Sequence, residues 1–251
     1  MLLAIDIGNT NISFGIFSAA KRDGKADKII KTFDLPSLQY SFRKVRKKIG
    51  CLKITDILIC SVVPKLTKRV AKDLGSLSGR RPYIIGKDLL VPIPNRYRNP
   101  GQVGQDRLVN AYAGAKLYGV PLVVVDFGTA ITFDVISKTG AYEGGLILPG
   151  IGISIDALNQ KTALLPKINL NTPKEFIGKD TASSILSGIV YGFAAMTSQL
   201  NIELKKILGK RTRVIATGGN AGLMRKYCSS IKQIDPQLTL KGINLIYKKT
   251  S

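Results

Sequence analysis

The stretch LLAIDIGNTNISFGIF, residues 2–17, is an apolar run, a polar turn and a second apolar run. That order reads as a strand, a turn and a returning strand, with Asp6 near the end of the first strand and Gly8 opening the turn. A second stretch, LVVVDFGTAITFDVI at 122–136, repeats it. Asp126 and Gly128 line up with Asp6 and Gly8, an offset of 126 − 6 = 120 in a chain of 251 residues. A spacing that long predicts two related domains with a cleft between them; a solenoid repeats every ~20–50 residues.

The segments around the two echoes alternate. Residues 29–35 predict a third strand, after a charged loop with an Asp-Gly turn at 21–28. Leu38, Phe42, Val45 and Ile49 fall at intervals of 4, 3 and 4, one face of a helix that stops at Gly50. The basic run at 43–48 then lies mostly on the wet face. Residues 56–64 predict a buried strand, 65–77 a helix and 81–86 a short strand. Residues 90–107 hold three prolines and no regular period, and a loop of that length often carries function. A helix follows at 107–119, and Pro121 begins the second unit. Strands, a Gly-rich turn and a helix continue to residue 158, then a long apolar helix at 181–209. A strand at 213–217 ends in the small-residue turn Gly218–Gly219, with a helix from about Ala221. Strand–helix alternation on both sides predicts an α/β fold with domains at 1–118 and 119–251.

Composition narrows the chemistry. Lys plus Arg exceed Asp plus Glu by 38 − 16, giving +22. That excess favours anionic partners such as nucleotides, nucleic acid or a membrane surface, or else is a set of solvated lysines, since the charges are scattered. There is no histidine, so His triads, His metal sites and His bases are excluded. Acid–base work falls to Asp, Glu, Lys, Tyr or Cys. Cys51, Cys60 and Cys228 show no pairing or metal spacing and read as reduced thiols of a cytoplasmic protein. The N-terminal apolar run is broken by Asp6 and carries no basic leader, so no signal peptide is expected. No stretch is read as approaching the ~18 residues of a membrane span.

Both Asp-x-Gly turns suit phosphate. Glycine lets the backbone approach a ligand closely. Asn9, Thr10 and Asn11, and Thr129 and Thr132, offer polar groups for phosphate oxygens. Asp6 and Asp126 can orient a cation facing them. No Walker loop and no dinucleotide fingerprint occurs.

Taken together, DIGNT at 6–10, GQDR at 104–107, DFGTAITFD at 126–134, GGLILPG at 144–150, TASSILSG at 181–188 and ATGG at 216–219 resemble type III pantothenate kinase. The resemblance spans almost the whole chain in the family's order. It implies two ribonuclease H-like domains of the acetate kinase, sugar kinase, Hsp70 and actin superfamily, with ATP between them. It implies ATP-dependent phosphorylation of pantothenate to 4′-phosphopantothenate, the first step towards coenzyme A. It also implies a homodimer, Mg2+ or a similar divalent ion with ATP, and K+ or NH4+ as monovalent cation.

Roles follow from the same resemblance. Asp106 is the implied proton acceptor, which suits a chain without histidine. Tyr97, Gly104, Gln105, Asp106, Arg107 and Thr181 are the implied pantothenate residues. Arg107 has the fork that matches a carboxylate. Asp6, Ile7, Gly8, Asn9, Thr10, Asn11, Ile12 and Ser13 match the first ATP loop and Thr129 the second, while Asp126 is the implied monovalent-cation ligand. Gly218 and Gly219 are expected near the nucleotide. Two plainer readings stand beside these: Tyr97 packing locally, and Thr181 as a helix-capping hydroxyl. The competing functions are a DNA-binding accessory transcription regulator of the same family, for which no zinc spacing or concentrated basic arm is found, and another small-molecule kinase of the superfamily.

Overall fold

A computed structural model of the chain describes residues 1–18 and 28–250, so the charged loop expected at 21–28 falls outside the described residues except for Lys28. The elements are β1 (Leu2–Ile7), β2 (Asn11–Phe17), β3 (Ile29–Pro36), α1 (Phe42–Ile49), β4 (Asp56–Ser61), α2 (Pro64–Ser78), β5 (Tyr83–Ile84) and α3 (Gln105–Tyr118). After them come β6 (Leu122–Phe127), β7 (Ala130–Ile136), β8 (Tyr142–Pro149), α4 (Ile151–Lys161) and α5 (Thr181–Leu208). The chain closes with β9 (Arg213–Thr217), α6 (Ala221–Met224), β10 (Gln233–Ile234) and α7 (Leu238–Thr250).

Two five-stranded sheets form, in the orders β3-β2-β1-β4-β5 and β10-β9-β6-β7-β8. Read from its other edge, the second is β8-β7-β6-β9-β10, so every strand has a counterpart. The central strands β1 and β6 each pair antiparallel with the next strand and parallel with a later one. Even the irregularity repeats: the register shifts between Ile16 and Phe17 in β2, and between Val135 and Ile136 in β7. The expected α/β duplication is therefore present strand by strand.

Alternation along β1 sorts its side chains to two faces. Leu3, Ile5 and Ile7 pack with Val45 and Ile49 of α1 and Val70 and Leu74 of α2. Leu2 and Ala4 pack with Val109 and Tyr112 of α3 and Leu240, Ile243 and Ile246 of α7. Each fully buried Leu, Ile or Val side chain among them contributes about 1.5–3 kcal/mol. In the second sheet, Val123, Val125 and Phe127 pack with Ile151 and Ile155 of α4, Ala194 of α5 and Met224.

The chain divides into two compact units, Met1–Ile93 with Asn99–Ala113 and Gln237–Ser251, and Pro94–Arg98 with Gly114–Pro236. A single boundary at 118/119 leaves α7 with the second sheet, whereas α7 packs on the first. Close approach makes this possible: a Cβ on Gly242 would stand 2.7 Å from Val109 Cγ1 of α3.

Three elements differ from expectation. Leu38 lies in a 3-10 turn, Ser37–Gln39, fully exposed, and α1 begins only at Phe42. Pro36 precedes that turn, and the Ser37 amide donates to the Thr10 carbonyl at 2.8 Å, which holds the segment out of a helix. α7 is a further helix beyond the expected elements. Finally, α5 is long and apolar enough to cross a membrane by length and composition, which corrects the expectation that no stretch reaches that size. Its Ser187, Val190, Ala194, Thr197 and Asn201 nevertheless form a buried stripe at helical spacing, with Ala194 in the core of the second unit.

Candidate active site

In the first unit the β1–β2 turn is built by tertiary bonds. Gly8 N–H donates to the Asn11 carbonyl at 2.9 Å. The Ser37 hydroxyl donates to the Gly8 carbonyl at 2.7 Å, and the Val62 amide to the Ile7 carbonyl at 3.2 Å. Asn9, Thr10 and Asn11 are exposed around this braced turn. Ile7 and Ile12, expected among the ATP residues, are fully buried, so they anchor the turn from below.

Asp6 is paired in register with Ser13 of β2 and Cys60 of β4. The three side chains share one face at the carboxyl end of β1 and β4 and the amino end of β2. Burial pushes the Cys60 thiol well up, and the Asp6 and then the Asp106 carboxylates push it further. One thiol thus feels both acids, Asp6 across the β1–β4 pairing and Asp106 from α3.

Asp106 lies in the first turn of α3, as GQDR suggested, although the helix already begins at Gln105. Its Oδ1 accepts from the Arg107 amide at 2.8 Å. Burial raises its pKa above the ordinary carboxylate value, an effect partly offset by the Arg107 amide and the Arg107 charge. Arg107 itself is buried. The Gln105 side chain packs over Gly86, where a Cβ would lie 2.6 Å from Gln105 Cδ.

The second unit repeats the turn. Asp126 pairs in register with Thr132 of β7 and Thr217 of β9, so a hydroxyl stands beside each Asp of the duplicated pair, Ser13 in one and Thr132 in the other. The Asp126 carboxylate lies over Gly218, whose φ of +88° and close approach to the Phe127 backbone exclude a Cβ. Gly150, immediately before α4, abuts the Thr129 carbonyl just as tightly. The amino end of α4 is therefore wedged behind the Gly128–Thr129 turn, an electropositive helix end next to a polar turn.

Tyr97 belongs to the second unit and Gly104–Arg107 to the first. The Tyr97 ring lies on Gly144 at 3.4 Å from the place of its Cβ, and 6.4 Å from the Tyr142 ring centre. Its backbone is set by Asn95 Oδ1 at 3.0 Å. Local packing of Tyr97 is thus observed. Thr181 is the first residue of α5 and exposed, but the cap is Asp180: its carboxylate accepts from Ser183 N–H at 2.8 Å in a reciprocal capping box. The capping reading of Thr181 is therefore displaced by one residue.

Sequence reasoning passed over two polar residues. Ser37 braces the first turn through long-range bonds that leave no local pattern. Asp134 is fully buried and accepts from the Tyr142 hydroxyl at 3.1 Å. Its signal was present, an acid on the apolar strand β7 two residues from Thr132.

Among the described residues no group of three or more His, Cys, Asp or Glu is placed to hold a metal ion. The exposed polar residues Asn9, Thr10 and Asn11, three to five positions after Asp6, fit a divalent ion held mostly by phosphate oxygens with one carboxylate.

Comparison with known proteins accords with this geometry. The family model described as type III pantothenate kinase matches residues 2–202. A type III pantothenate kinase of Moorella thermoacetica is 40% identical over 254 residues, covering 100% of both chains. Among solved structures, a protein of Campylobacter jejuni named as a Baf family transcriptional activator covers 99% of this chain and 98% of its own, with TM-score 0.61 and 21% identity. The activator of 2-hydroxyisocaproyl-CoA dehydratase from Clostridium difficile, solved with bound ADPNP, covers 99% and 96% with TM-score 0.55 and 12% identity. At those identities the two structures speak for the fold alone.

Duplicated sheets, each with an acid and a glycine turn at the end of its central strand, define a fold class of two ribonuclease H-like domains, the fold shared with the ADPNP-bound structure. Within it, the chain belongs to the type III pantothenate kinase family. Membership implies an ATP-dependent kinase that phosphorylates an alcohol group, with a divalent cation, in coenzyme A biosynthesis. The transcription-regulator reading is not favoured.

Proposed function

We propose that the chain transfers the γ-phosphoryl group of ATP to the 4′-hydroxyl of pantothenate, with Asp106 as the base. The observation that carries this assignment is the Asp106 carboxylate in the first turn of α3, partly buried and fixed by the Arg107 amide, which donates to its Oδ1 at 2.8 Å. ATP and its divalent ion supply the phosphoryl group and neutralise its charge. Asp106 accepts the hydroxyl proton as the oxygen attacks. Gly104, Gln105, Arg107, Tyr97 and Thr181 hold pantothenate, with the Arg107 guanidinium on its carboxylate. Residues 6–13 cradle phosphates, Asp6 on the divalent-ion side, with Thr129 and the Gly218–Gly219 turn as second contacts. Asp126 binds K+ or NH4+. The exposed Asn9, Thr10 and Asn11, and the fit of Asp126 over Gly218, support this division.

The experiment is a coupled ADP-release assay with and without pantothenate and K+. Turnover should require both, and Asp106→Asn should lower kcat by roughly 10²–10⁴-fold with the fold retained. Full activity in that variant removes Asp106 as base, and full activity without K+ or NH4+ removes the role of Asp126.

A homodimer with cytoplasmic residence completes the reading. Its support is a groove of about 720 Å³ along α5, lined by Phe176, Ile177, Gly188, Tyr191, Gly192 and Tyr227, with Phe176 and Ile177 strongly exposed. The three free cysteines suit a reducing compartment. Light scattering should give twice the chain mass of 27.2 kDa; a monomer at micromolar concentration overturns it.

A further inference from the structure

Part of the excess of positive charge gathers at a cavity. A cavity of about 580 Å³ lies in the second unit at the amino ends of β6 and β9, and Lys138, Lys210, Arg211 and Arg213 line it. Asp126 and Thr217 are at the other ends of those strands. Leu122 to Phe127 spans about 17 Å at ~3.3 Å per residue, so the cavity is separate from the candidate phosphate turns.

Three elements deliver the four cations. Lys138 comes from the β7–β8 turn, Lys210 and Arg211 from the loop after α5, and Arg213 from the start of β9. The loop is held: Thr212 is buried and both its amide, at 3.0 Å, and its hydroxyl, at 2.6 Å, donate to the Gly209 carbonyl. The Arg213 guanidinium donates to the Tyr118 carbonyl, and Lys138 extends over Gly209, its Nζ 3.7 Å from where a Cβ would be. Among the described residues no carboxylate forms an ion pair with any of the four. Complementing the carbonyl end of α5 does not account for them, because Lys205 and Lys206 already occupy its last turn. Val120 and Leu208 add apolar wall, and the volume is that of a small-molecule site.

We propose that this cavity is an anion site for a small molecule carrying two or more phosphate groups, distinct from the substrate sites. Converging cations repel one another, and an oligophosphate relieves that repulsion while giving each cation a charge-assisted hydrogen bond. A single phosphate reaches fewer of them.

The test is an amide NMR titration of the full chain with inorganic tripolyphosphate at physiological salt, followed residue by residue. Amides of Gly209, Lys210, Thr212 and Thr139 should shift saturably, with inorganic monophosphate at least tenfold weaker. Lys138→Ala combined with Arg211→Ala should weaken that response at least tenfold. A control pair of equal charge change on α1, Lys47→Ala with Lys48→Ala, should leave it within twofold. Absence of saturable shifts at these amides, equal weakening by the control, or equal affinity for monophosphate each overturns the proposal. Tripolyphosphate entering the candidate ATP turns would move Gly8 and Gly218 amides instead, so the two readings fail separately.

Discussion

The Asp106 carboxylate lies against the α-carbon of Gly104: a Cβ there would stand 2.5 Å from Oδ1. Gly104→Ala must therefore displace the carboxylate or the start of α3. Loss of kcat by roughly 10²-fold is expected, since misplacement of a reacting group by about 1 Å costs that much. Circular dichroism should report an intact fold, which separates misplacement from unfolding.

Asp106 is raised by burial, so its base form exists only above a pKa higher than the ordinary carboxylate value. The acid limb of kcat/KM should lie correspondingly high. A carboxyl raised on folding favours the native state at low pH and loses that contribution as pH rises through its folded pKa. Asp106→Asn should then raise Tm at neutral pH and leave it unchanged below the unfolded carboxyl range. A variant less stable at neutral pH would contradict the burial account.

Ser37 holds the first turn through its hydroxyl on Gly8 and its amide on Thr10. Ser37→Ala removes only the first bond. A cost of about 0.5–1.5 kcal/mol is expected by urea denaturation. KM for ATP should rise with KM for pantothenate little changed; the reverse pattern would detach this turn from the nucleotide.

The Gly218 backbone is left-handed and crowded by Asp126 and Phe127, while Gly222 on α6 has open space around its Cβ position. Gly218→Ala should destabilise by about 2–5 kcal/mol, strain and overpacking together. Gly222→Ala should be neutral or stabilise by about 0.4–1 kcal/mol. Thermal melts of the two side by side decide whether shape or glycine content matters here.

The central strands were legible because an apolar run ending in an acid and a glycine is a strong local signal. The repeat of that signal carried the duplication, and Asp180 with Gly209 bounded α5 within a residue of the expected ends. What escaped was tertiary. Nothing local in Pro36–Ser37 announces its bond to Thr10, and without it Leu38 fits a helix face. The Leu240, Ile243 and Ile246 pattern of α7 is helical, but its docking on the first sheet depends on α3. Asp134 read as one more motif letter because its burial comes from strands β6 and β8.

Of the three thiols, Cys51 alone is exposed. Burial holds Cys228 up to about 11, and Cys60 is raised by burial and by two acids. A thiolate is the species that alkylates, so brief maleimide treatment of the native protein should modify one site per chain. Cys51 follows α1, remote in sequence from both turns and from GQDR. In the proposed homodimer a nitroxide attached there would report spin–spin distances between protomers, making the wild-type chain its own spectroscopic ruler without an engineered cysteine.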